Sequence, residues 1–195
     1  MIDDGLTRSA YLGHTLQQRE EAMGAFKNLI EKSPPKRIIE IGTGYGGLTI
    51  FLRDQTKTIG DIYSFDILER ESHKHVKESG VNFSTENIFK DVRDWNRFEV
   101  KEEYEELFKV SPKIVICDGG HKKGEFNGIA KHLISGDIIM LHDYSTNKET
   151  FDSLNVWNWL ECQYSDIKVI CEEYNLKPFM HEEFLNVAWG CFIKQ

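Results

Sequence analysis

The sequence predicts an α/β protein built on a doubly wound, mostly parallel sheet of seven strands, the last of them antiparallel. Three observations lead there. Ile38, Ile39 and Ile41 form a short apolar run that enters a glycine-rich loop and then a helix start. Further apolar runs of strand length alternate with stretches of helical periodicity. The chain ends in an apolar run, residues 186–194, reached without a long helix, so it should pair antiparallel with the strand before it.

Length and composition set the frame for these elements. A chain of 195 residues is long enough for one such domain and short for two. Residues 1–195 are therefore read as one unit, with residues 1–35 as a covering segment and helix. A formal charge of −8 without a sustained basic stretch points away from nucleic acid and toward a small-molecule partner. No apolar run reaches membrane-spanning length, and the first residues carry acids where a secretory leader would carry bases, so cytoplasm is the expected compartment. Cys117, Cys162, Cys171 and Cys191 lack C-x-x-C spacing and sit among apolar residues, the pattern of reduced core cysteines. Oligomeric state is not legible.

In chain order, Thr15 with Gln18 starts a helix whose apolar stripe is Leu16, Met23, Phe26, Leu29 and Ile30, and Pro34-Pro35 ends it. The first strand follows, then a helix over residues 47–56. Residues 61–66 read as the second strand, 69–78 as a polar helix, and 81–84 as a short third strand. A loop and a helix are expected within the charged passage 85–110, which includes Asp91, Asp94, Trp95, Phe98 and Tyr104. Residues 113–118 have the continuous apolar run of a strand covered on both faces. Phe126, Ile129, Ala130 and Leu133 mark the next helix, residues 138–143 a strand, and Phe151, Leu154, Trp157 and Leu160 another helix. Residues 167–171 read as the sixth strand and 186–194 as the seventh.

The chemistry gathers first at the glycine loop. Gly42, Gly44 and Gly47 satisfy the dinucleotide spacing G-x-G-x-x-G, and a strand, tight turn and helix N-terminus present bare N–H groups to a nucleotide-like ligand. Glu40, an acid inside an apolar strand two residues before the first glycine, would repel a pyrophosphate and hold an ammonium group. The order Glu40-Ile41-Gly42-Thr43-Gly44-Tyr45-Gly46 resembles the first motif of class I S-adenosylmethionine-dependent methyltransferases. That resemblance implies the seven-stranded methyltransferase fold over residues 35–194, with Glu40, Gly42, Thr43, Gly44 and Tyr45 around the methionine end of the cofactor.

Ligands of an open parallel sheet bind at the carboxyl ends of its strands. The acids found there are Glu40, Asp66, Asp118 and Asp143. Asp66 lies ~20 residues beyond the glycine loop, the spacing at which a carboxylate takes ribose hydroxyls. Asp118-Gly-Gly-His121 and His142-Asp143 bring two carboxylates and an imidazole to adjacent strand ends, a set able to hold Mg²⁺ or, with the imidazole as ligand, Mn²⁺, Fe²⁺ or Zn²⁺. Here the chain resembles metal-dependent O-methyltransferases of macrolide sugars and the cephalosporin-hydroxylase-like proteins. The resemblance implies Asp118 and Asp143 as ligands of a divalent cation, Asp118 also within the cofactor site, and His121 as the general base. His142 stands where that group has a carboxylate.

The expected activity is methyl transfer from S-adenosylmethionine to a hydroxyl of a small molecule, probed against three alternatives. These are a nicotinamide-dependent oxidoreductase, a cephalosporin-hydroxylase-like protein, and a cofactor-binding protein without turnover. His14, His73, His75 and His181 read as surface residues, His132 as solvent-facing, and Trp157, Trp159 and Trp189 as core.

Overall fold

The computed structural model describes residues 9–57, 60–90, 94–154 and 159–195. Seven strands form the central sheet: β1 (Arg37–Ile41), β2 (Asp61–Phe65), β3 (Asn82–Ser84), β4 (Lys113–Cys117), β5 (Ile138–His142), β6 (Leu176–Pro178) and β7 (Trp189–Lys194). The helices are α1 (Glu20–Lys32), α2 (Gly47–Thr56), α3 (His73–Glu78), α4 (Lys122–Ile129), α5 (Lys148–Leu154), α6 (Tyr164–Glu173) and α7 (His181–Leu185). The sheet runs β6-β7-β5-β4-β1-β2-β3. From β5 to β3 every pairing is parallel, and β7 pairs antiparallel with both β5 and β6. The order in which successive strands are added reverses at β1, with β2 and β3 on one side and β4 and β5 on the other, which is where such a sheet opens a crevice for a ligand.

Both faces of the sheet are covered, as its unbroken apolar runs require. On one face Ile39, Ile41, Val115, Cys117, Ile139, Leu141 and Phe192 pack with Phe126, Ile129 and Ile167 of α4 and α6. On the other, Ile38, Ile62, Ile114, Ile116, Met140 and Trp189 pack with Phe26, Leu29, Leu48 and Phe184 of α1, α2 and α7. All four cysteines are buried free thiols. None of the described helices is long and apolar enough to cross a membrane.

Two elements differ from expectation. Residues 167–171 are helix, not strand, because Gln163 and Asp166 form a reciprocal capping box and Ile167, Ile170 and Cys171 fall at helical spacing toward the core. The sixth strand is instead Leu176–Pro178, and its pairing with β7 is antiparallel. The first helix starts at Glu20, not Thr15; Thr15 is extended and pairs with Ala10, while Leu16 is buried ahead of the helix. In the 85–110 passage, Phe89 and Val100 form an antiparallel bridge and Glu102–Lys109 is a 3₁₀ helix. The expectations placed on Asp91 and Trp157 lie outside the described residues. Trp189 is core, whereas Trp159 is 63% exposed.

One buried ion pair crosses the sheet at the end opposite the glycine loop. Lys113 and Asp137 are at most 1% exposed and joined ammonium to carboxylate. Asp137 also accepts from Ser111 Oγ and from the Lys113 and Ile134 N–H groups, so its carboxylate is held by four donors.

Candidate functional site

The loop after β1 turns with Gly42 at φ +92°, and a Cβ there would stand 2.1 Å from the Asp118 carbonyl oxygen. Only glycine meets both conditions. Gly42 N–H donates to Phe65 O and Asp118 N–H to Ile41 O, tying the ends of β1, β2 and β4 together. Beneath the loop, Glu40 Oε2 accepts from Thr49 Oγ1 at 2.7 Å and Ser64 Oγ at 2.5 Å, and Thr43 Oγ1 lies 2.6 Å from Ser64 Oγ. The buried acid thus finds hydroxyl partners inside the protein.

Asp66 is placed at the end of β2 as expected, and it is already engaged. Its Oδ2 accepts from Gly44 N–H and from Arg70 Nη1, both at 2.9 Å, and its Oδ1 accepts from Leu68 N–H at 2.8 Å. Arg70 also lies over the half-exposed Tyr45 ring. His73, expected at the surface, is fully buried. Its Nδ1 accepts from Arg70 N–H, so Nε2 carries the proton it donates to Gly44 O at 2.8 Å. A neutral imidazole therefore braces the glycine loop from below. His132 is likewise half-buried, against Phe108, rather than solvent-facing.

At the ends of β4 and β5 the sheet brings Asp118, His142 and Asp143 together, as the sequence predicts. His142 Nδ1 lies 3.1 Å from Asp118 Oδ1 and 3.4 Å from Asp143 Oδ1, and its ring packs on Trp189 at 4.7 Å. Asp143 has φ +53°, a turn that aspartate tolerates and that aims its carboxylate back into the cluster. Gln18, expected only as a helix-start residue, links two distant parts: its Nε2 donates to Asp118 Oδ2 at 2.8 Å and its Oε1 accepts from Trp189 Nε1 at 2.9 Å.

The position expected for a divalent cation holds the Lys122 ammonium. Lys122 Nζ lies 3.0 Å from Asp143 Oδ2, 2.9 Å from Glu161 Oε2 and 3.9 Å from Asp118 Oδ1, and it donates to Gly119 O at 3.1 Å. Among the described residues no group of three or more His, Cys, Asp or Glu side chains is disposed to hold a metal ion. Asp118 and Asp143, two of the expected ligands, are thus engaged by a cation of the chain itself. Glu161 escaped the sequence reading because it lies in no motif; its N–H to Asp143 O anchors it.

Charge balance shifts the groups of this cluster. Burial opposes the charged His142 ring, yet Asp118 and Asp143 outweigh it and hold its pKa above the ordinary value. Burial likewise opposes charge on Lys122, and Asp118, Asp143 and Glu161 overcome it, raising the ammonium's pKa.

His121 is the N-cap of α4, and its Nδ1 accepts from Gly124 N–H at 3.2 Å. Its ring lies 5.3 Å from Trp95 and 5.4 Å from Phe98. A neutral ring that accepts at Nδ1 carries its proton on Nε2, so taking another proton means giving up the cap. Below it, Glu125 accepts from the N–H groups of Gly119 and His121. Tyr144 is buried and does not line the cavity.

Glu40 and Glu125 yield an expected pH dependence. Burial pushes each carboxyl up to about 7, against the opposing hydrogen bonds of Ser64 and Thr49 on Glu40 and of His121 and Gly119 on Glu125. Between the ordinary carboxylate range and about 7 the folded chain therefore holds more protons than the unfolded chain. Stability falls as pH rises through that window, by roughly 3 kcal/mol per group. The elevated pKa of His142 acts in the same sense, its contribution being lost as pH rises through the folded value. Urea midpoints should drop between about pH 5 and about pH 7.5, and Glu125→Gln should flatten the slope. A Glu125→Gln protein with the wild-type slope would refute the assignment.

These groups enclose a cavity of about 600 Å³, a volume suited to a small ligand. It runs from Asp66 and Ile67, over Gly42 and Gly44, to Asp118, Trp95 and His121. No protein-family model matches the chain, and no curated protein matches it. Solved structures do. CmcI in its apo form is 15% identical with a TM-score of 0.62, covering 95% of this chain and 76% of its own. CmcI with Mg and SAM is 16% identical with a TM-score of 0.57, covering 96% and 76%. A protein from Staphylococcus aureus, provisionally described as a caffeoyl-CoA O-methyltransferase, is 14% identical with a TM-score of 0.61, covering 91% and 84%.

Proposed function

Taking as premise that the chain has the class I S-adenosylmethionine-dependent methyltransferase fold, we propose that it transfers a methyl group from S-adenosylmethionine to a hydroxyl of a small molecule. The observation that carries this is the cavity itself, which joins a glycine loop that only a bare backbone can form to a cluster with more carboxylates than cations. A cationic sulfonium suits that surplus of negative charge. A pyrophosphate does not, which sets the nicotinamide alternative behind.

The residues present fit the cofactor. Gly42, Thr43 and Gly44 would receive its methionine end, with Glu40 beneath them. Asp66 would take ribose hydroxyls with the acceptor capacity left on Oδ1, and the exposed Ile67 and Leu68 would meet the adenine. When bound, the cofactor supplies an electrophilic methyl on sulfur. The chain's own part is placement and proton handling. Trp95 and Phe98 would flank an acceptor beside His121, whose imidazole would take the proton from the acceptor hydroxyl. Releasing the Gly124 N–H costs about 1 kcal/mol, small beside the gain from a positioned base.

Calorimetric titration tests the cofactor half. S-adenosylmethionine should bind the wild-type protein, and Asp66→Ala should weaken it by ~1.5–3 kcal/mol, roughly tenfold or more. Binding of NAD in its place would overturn the reading.

A further inference from the structure

We propose that Lys122 is the resident cation of this site, and that the carboxylate cluster of Asp118, Asp143 and Glu161 binds no divalent metal ion while the lysine stands in it. The sequence places carboxylates at the ends of β4 and β5, and such a pair ordinarily draws a cation. Here the cation comes from the chain itself.

The lysine is held at both ends. Its backbone N–H donates to Glu161 Oε1 at 2.8 Å while its Nζ reaches Glu161 Oε2, so one carboxylate clasps the residue at the first turn of α4. The side chain is buried to 8% exposure. The ammonium donates to Gly119 O and Glu161 Oε2, and it forms an ion pair with Asp143 Oδ2 at 3.0 Å. A metal ion bridging Asp118 and Asp143 would have to displace this ammonium from a buried position paired with both Asp143 and Glu161, and leave its charge beside its own. Like charges at such a distance repel strongly where water is excluded.

Two consequences follow for the chemistry. Lys122 is tied by hydrogen bonds to Gly119 O and Glu161 and by an ion pair to Asp143, so it is a positioning residue and proton removal falls to His121. The carboxylates also keep their arrangement without an exchangeable ion. This second step rests on the methyl-transfer reading; the metal-binding claim does not.

Manganese(II) alone is the probe, titrated into the whole protein and followed by electron paramagnetic resonance of the free ion. Wild-type protein should show no stoichiometric site at micromolar concentration. Lys122→Ala, checked for folding by circular dichroism, should gain one site at least ~10-fold tighter, lost again in the Lys122→Ala/Asp143→Asn double variant. Should Lys122→Ala not fold, Lys122→Met keeps the apolar stem and removes the charge. A wild-type site of micromolar affinity that disappears in Asp143→Asn overturns the proposal on its own, as does a folded, charge-free Lys122 variant that gains no manganese. Loss of S-adenosylmethionine binding by the wild-type protein, by contrast, would strike the methyl-transfer reading and leave this one standing.

Discussion

His121→Ala is expected to lower turnover by ~10²–10⁴-fold, the usual weight of a positioned general base, with cofactor binding retained. The alanine variant by itself would not separate two roles, because His121 is also the cap of α4 through Gly124 N–H. His121→Asn separates them. Asparagine is among the best N-cap residues and cannot take a proton at neutral pH. If the imidazole is the base, His121→Asn should melt like the wild-type protein and be as inactive as His121→Ala. If capping is the whole role, asparagine should restore turnover. Steady-state kinetics beside thermal melts of the three proteins decide it, and activity in His121→Asn would move the base elsewhere. Glu125 is next in line, since burial has already brought its carboxyl to about 7.

Asp137→Ala should destabilise the protein by ~3–5 kcal/mol. The pair it breaks is buried at both ends, and removing the acid strands the Lys113 ammonium together with the Ile134 and Lys113 N–H groups. Lys113→Met should cost less, because Asp137 would keep Ser111 and those two N–H groups as donors. Denaturant unfolding of the two variants tests this order. Equal destabilisation would mean that the Coulombic attraction alone, and not the hydrogen bonding of the acid, sets the value of the pair.

Much of the architecture is legible because it follows from local rules. The runs at β1, β4 and β5 are unbroken and apolar because both faces of those strands are covered, and the glycines between β1 and α2 leave few conformations open. Strand ends in a parallel sheet share an edge, so Asp66, Asp118, His142 and Asp143 are brought toward one cavity by topology alone. The sixth strand is misplaced for a physical reason: residues 167–171 are short and apolar, and periodicity cannot tell a buried strand from a buried helix over so few positions. What settles it is Asp166 reaching back to the Gln163 N–H, a contact of side chain with backbone.

The sequence by itself determined the fold class, the glycine loop, and the meeting of carboxylates at the strand ends, since each depends on patterns within a few residues. Only the tertiary structure decided what those carboxylates hold. Lys122, Glu161, Gln18 and His73 come from four unrelated stretches, carry no spacing signal for the roles they play here, and acquire them through distances that exist after the chain has packed. A lysine at a helix start reads as a solvated charge until the fold buries it among three acids. Burial, not residue type, then makes it the counter-ion of the site.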